Sequence, residues 1–230
     1  MATQDYWNES IRLNNVGVQY LLQGLLSEAV QCFREAAEYN EAASYEQSSV
    51  HGFGVYANQW ISLSHTLKAI HQHNGQRIAA MKLLQPAVLS IGKMTKEDDF
   101  VSETERRKAV FTSRLDWIID FNLATSLQLY GILHGSADSG SDCLRKAYEM
   151  YDEMSKDVIE WNNYTASVDM AMLLMAICQN QSFICDLCQK DQLVVLFMLR
   201  IRHIQQFLGD MPLDQETSIS LCKGHCAPVA

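Results

Sequence analysis

Residues 10–40, reading SIRLNNVGVQYLLQGLLSEAVQCFREAAEYN, constrain the fold more than any other stretch. Leu13, Val16, Gly17 and Tyr20 recur at i, i+3, i+4 and i+7, which is one face of a helix. Gly24 breaks the period, and Leu26, Ala29, Val30, Phe33, Ala36 and Ala37 restart it. Two amphipathic helices with a glycine between them make an αα-hairpin. Gly17 falls mid-helix, where glycine costs about 1 kcal/mol against alanine. The cost is offset if the missing side chain lets the second helix, with Ala29, pack close. An arbitrary antiparallel hairpin would share the periodicity without needing small residues at both Gly17 and Ala29.

A lone hairpin cannot bury its apolar face, so about three are needed for a stable stack. A second copy lies within residues 115–131, where Ile118, Phe121-Asn122, Leu123-Ala124 and Leu127 follow the register of Asn14-Asn15, Val16-Gly17 and Tyr20. Gly131 is placed at its turn and residues 135–142, GSADSGSD, in a polar loop. Leu144, Ala147, Tyr151 and Met154 mark the returning helix. Residues 161–180 and 189–209 form a third pair, with Gly209 as its C-cap. The first helix of that pair contains VDMAMLLMAIC, apolar nearly all round, which implies burial on several sides. The second carries Leu193, Leu196, Phe197, Leu199, Ile201 and Ile204.

The set Leu13, Val16, Gly17, Tyr20, Gly24, Ala29, Phe33 and Ala36 resembles the tetratricopeptide repeat (TPR), with Leu13 in place of the usual Trp and Glu41 in place of the closing Pro. The resemblance covers about half the chain, as one clear repeat, one elongated and one degenerate. It implies an all-α fold, a short right-handed superhelix of antiparallel helical hairpins. It implies a single domain over residues 1–209, with residues 42–105 inserted between repeats and residues 210–230 as a flexible tail. It also implies a non-enzymatic scaffold that binds a peptide or helix in a concave face lined by the first helix of each hairpin. Carried over by position, that face holds Asn14, Asn15, Val18, Leu21 and Leu22 in the first copy. In the second it holds Phe121, Asn122, Thr125, Gln128 and Leu129. The amides of Asn15 and Asn122, read as exposed there, would suit an extended backbone. Neither copy places a cation on the face, since Arg12 falls one position off. A carboxylate-terminated ligand is therefore disfavoured.

Within the insertion, residues 54–63 (GVYANQWISL) read as a short strand or extended segment. Residues 64–92 read as helical, with Leu67, Ile70, Ile78, Met81, Leu84 and Val88 apolar and Pro86 a boundary. Residues 95–104 read as an acidic loop.

The 230 residues are 48% hydrophobic with only three prolines, which disfavours disorder. A net charge of −9 without a basic patch argues against nucleic acid. The longest uninterrupted apolar run, Met170–Cys178, is short of the ~20 residues of a membrane span. No signal-peptide stretch opens the chain, and seven irregularly spaced cysteines fit reduced thiols. The expectation is a cytoplasmic protein, with a nuclear location as the lesser alternative.

No nucleophile elbow, phosphate loop or dinucleotide fingerprint occurs. No catalytic residue and no cofactor is assigned. One alternative is a helical enzyme or zinc protein using Cys185 and Cys188 with Cys222, His225 and Cys226, although the spacing between the two groups is long for zinc. His65, His71 and His73 read as surface histidines, because i, i+2 positions on a helix point apart. A second alternative is a self-associating homodimer formed through the terminal hairpin.

Overall fold

The computed structural model describes residues 3–46, 56–63, 87–93, 115–134, 138–160 and 168–210. In chain order these form α1 (Thr3–Leu22), α2 (Leu26–Glu46), β1 (Tyr56–Ser62), β2 (Ala87–Lys93), α3 (Leu115–His134), α4 (Asp138–Glu160), α5 (Val168–Leu187) and α6 (Asp191–Asp210). Consecutive helices pair as α1–α2, α3–α4 and α5–α6, and α2 meets α3 as α4 meets α5.

The first hairpin closes as its sequence demands. Gly24 takes φ 78°, the left-handed conformation that only glycine adopts without strain. The Leu25 N–H donates to Tyr20 O at 2.9 Å and the Gly24 N–H to Leu21 O at 3.0 Å. These two bonds are a Schellman cap. Gly17 does mark a close approach, but its neighbour is Phe33 rather than Ala29. A Cβ at Gly17 would lie 2.7 Å from Phe33 Cε1. Phe33, Ala29 and Ala36 are all fully buried. The Ser10 hydroxyl joins the open end of the hairpin by donating to Ala36 O at 2.7 Å. α1 begins at Thr3, a turn or more before the expected start near Asn8–Ser10. Buried Trp7 extends the apolar stripe in that direction.

The third hairpin repeats the same turn with different residues. The Lys190 N–H donates to Cys185 O at 2.9 Å and the Gln189 N–H to Asp186 O at 3.0 Å. Gln189 occupies the Gly24 position with φ 56°. A side chain there costs about 1–2 kcal/mol, partly returned by a stiffer unfolded chain. Gln189→Gly is therefore expected to raise stability by about 0.5–1 kcal/mol, read as a higher urea midpoint at unchanged slope. An unchanged or lower midpoint would mean that the turn relaxes some other way.

The second hairpin differs from its expected form. α3 runs on to His134, so Gly131 lies inside the helix, where a Cβ would meet Leu144 Cγ at 2.7 Å. α4 starts at Asp138, so most of the expected polar loop is its first turn. α3 is buried on nearly every side, from Leu115 to Ile132. It packs against α2, α4, β2, α1 and α5.

α2 continues through Glu46, past residue 42. β1 occupies the segment read as extended. It pairs antiparallel with β2, from Tyr56↔Lys93 to Ser62↔Ala87. β2 corrects the helical reading of residues 87–92. After Pro86 the run AVLSIGK is short and contains β-branched residues, and pairing with β1 satisfies its backbone. The remainder of the segment, residues 64–86, lies outside the described residues. β2 rests on α1 and α3. The third pair is shifted from its expected limits: α5 extends to Leu187 and α6 carries Gly209 inside its last turn.

Candidate functional site

The ten residues assigned to a concave face are brought together, but not as an open groove. Asn14, Val18, Leu21, Phe121, Asn122, Thr125, Gln128 and Leu129 are buried, and Asn15 and Leu22 are half-buried. Asn122, expected to be exposed, is instead fully buried, and its Nδ2 donates to Asn14 Oδ1 at 2.8 Å. Asn14 Nδ2 in turn donates to Asn15 Oδ1 at 3.3 Å. The amides are engaged between α1 and α3. The physical reason is that α3 is central: α1, α2, α4, α5 and β2 all contact it. Arg12, the nearest cation, is held by Glu9 through bonds of 2.8 and 2.6 Å.

Thr125 and Gln128 belong to a second buried network. The Tyr151 hydroxyl donates to Gln128 Oε1 at 3.1 Å and accepts from Asn180 Nδ2 at 2.8 Å. Thr125 Oγ1 lies 3.0 Å from the same oxygen. Burial raises the Tyr151 phenol well above its ordinary range, so it stays protonated. The network joins α3, α4 and α5, and leaves Gln128 Nε2 buried without a hydrogen-bond partner.

The surface offers a different site, on α6. Its inner face buries Phe197, Ile201, Ile204 and Leu208. A surface helix normally turns a polar face to water. Here the opposite side exposes Val195 (60%), Met198 (50%) and Leu199 (56%), with Leu196 beside them. Arg202 and His203 continue that side by one turn, both exposed. Sequence reasoning placed Leu196 and Leu199 among the apolar set of this helix without separating inward from outward residues. The signal was present in LVVLFMLRI, which is apolar at all helical angles rather than along one stripe.

Cys185 is buried, and burial is the main cause that pushes its thiol up. Burial likewise lifts the Cys178 thiol to about 11. Thiols so raised are poor nucleophiles at neutral pH. Cys185 and exposed Cys188 line a cavity of about 270 Å³ with Leu144, Tyr148, Ile184 and Lys190. Among the described residues no three His, Cys, Asp or Glu side chains converge as a metal set. Cys222, His225, Cys226 and the three histidines of the insertion lie outside them. Asp120 is raised to about 7, first by burial and then by Asp116, Glu153 and Asp157. It does not line the cavity. Met170–Leu187 in α5 is long and apolar enough to cross a membrane, yet 61% of that window is buried in the fold, as in a core helix. Comparison with known proteins assigns no relative: no family model matches the chain, and no match is found among curated proteins or solved structures.

Proposed function

We propose that the chain is a non-enzymatic interaction module, a short stack of TPR-like hairpins that holds another polypeptide. Support for the stack comes from the shared turn of the first and third hairpins and from the Gly17–Phe33 contact. The docking surface is moved from the inner face, whose amides are engaged within the chain, to the outer face of α6. The observation that carries this is the apolar row Val195, Met198 and Leu199, exposed on a helix whose other side is already core. An uncovered apolar patch of this kind marks an interaction site.

Selecting helical peptides from a displayed library against the parent chain tests the proposal. The selected peptides are expected to lose about tenfold or more in affinity for a Val195→Glu, Leu199→Glu double variant, as central apolar contacts usually do. The variant itself keeps its helical circular dichroism, because both positions are exposed. Peptides that bind parent and variant equally would remove the outer face of α6 as the site.

A further inference from the structure

We infer that the segment docking on α6 is an amphipathic helix whose apolar stripe is flanked by carboxylates. The inference rests on the outer face of α6 being the docking surface. α6 carries Arg200, Arg202 and His203 and no carboxylate between Asp191 and Asp210. The chain as a whole has a net charge of −9, so this helix runs against the general balance. Lys190 is exposed just before the helix, and Arg202 and His203 are exposed just beyond the apolar row. Arg12 and Arg145 are each held by carboxylates on their own helices. Arg202 has no such partner among the described residues. A cation exposed beside Val195, Met198 and Leu199, with no carboxylate partner among the described residues, recognises an acid next to an apolar anchor. The partner's carboxylates lie over the C-terminal half of α6, where Arg202 and His203 are exposed.

Two other occupants fit less well. An interfacial membrane helix uses aromatic anchors and cations along its whole length. The exposed row here has no aromatic residue. A second copy meeting α6 with its own α6 in antiparallel would bring one carboxylate, Asp191, to the Arg202 end, where an acidic helix brings several.

Fluorescence anisotropy tests the inference with labelled peptides of about 18 residues, long enough for the exposed turns. Each carries one leucine stripe, flanked by Glu, Gln or Lys. The Glu peptide is expected to bind about tenfold more tightly than the Gln peptide at low salt, with the advantage shrinking as salt rises. An Arg202→Glu, His203→Glu variant should move the preference to the Lys peptide, and Leu199→Glu should weaken all three. Equal binding of the Glu and Gln peptides, lost together in Leu199→Glu, would overturn the acidic partner while leaving the docking face intact. Binding untouched by Leu199→Glu would overturn both. Sedimentation with anionic vesicles that Leu199→Glu abolishes would assign the face to lipid instead. A light-scattering mass that rises with concentration only in the parent would assign it to a second copy. Either outcome overturns the acidic helix.

Discussion

Phe33→Ala is expected to lose about 3–5 kcal/mol of stability, the range for emptying a buried phenylalanine site. That is a large share of the roughly 5–15 kcal/mol that holds a domain together. Phe33 is fully buried, and its ring lies where a Gly17 side chain would stand. Truncation leaves a hole beneath a glycine, and glycine has no atoms with which to fill it. The same geometry makes Gly17→Ala costly, despite the gain of about 1 kcal/mol in helix propensity. The new methyl overlaps a ring that the packed core holds in place, an overpacking worth about 1–3 kcal/mol. The two sites are coupled, so Gly17→Ala made in a Phe33→Leu background should cost less than in the parent. Urea melts of the parent, Phe33→Ala, Phe33→Leu, Gly17→Ala and the Gly17→Ala, Phe33→Leu double variant measure this. A Phe33→Ala midpoint equal to that of the parent would show that the ring contributes nothing to the hairpin.

Asp120→Asn should stabilise the chain at pH 8 by on the order of 2 kcal/mol and much less at pH 5. The Asp120 carboxyl is raised to about 7 in the folded chain from an ordinary value of 3.8. Burial is the first cause, and the neighbouring charges of Asp116, Glu153 and Asp157 add to it. Between those two values the folded chain binds a proton that the unfolded chain releases, so stability falls as pH rises. The contribution is fully favourable below about pH 4 and is lost once pH passes about 7. The parent should therefore gain stability from pH 8 to pH 6, and the asparagine variant should show a flatter profile. Thermal melts at the two pH values decide it. Identical pH slopes in both chains would mean that Asp120 is ionised and solvated in the fold.

The first hairpin was legible in the sequence because its signals are local. Gly24, the i+3/i+4 spacing and the missing side chain at Gly17 are all read within one stretch. What covers a helix face is not local. The periodicity correctly grouped Asn14, Val18, Phe121 and Asn122, but their surroundings depend on β2 and on helices far along the chain. The sequence of α3 carries a sign of this: between Asp120 and His134 it has no charged residue, and such a helix seeks burial on all sides. β2 was misread because a short apolar run scans as helix or strand until its partner strand is known. On α6 the two apolar faces merged into one list of hydrophobic residues, and only exposure separated them.

Enclosing α3 on all sides also governs how the chain comes apart. An array whose units touch only their neighbours loses them one at a time from the ends. Here the Asn122–Asn14 bond spans 108 residues and ties the first helix directly to the central one. Neither outer hairpin can leave without opening the core around α3, so the domain should melt in one cooperative step rather than fray. Its folding should be slower than that of a helical bundle of local contacts, because the first hairpin must wait for α3 to arrive before its inner face is dry.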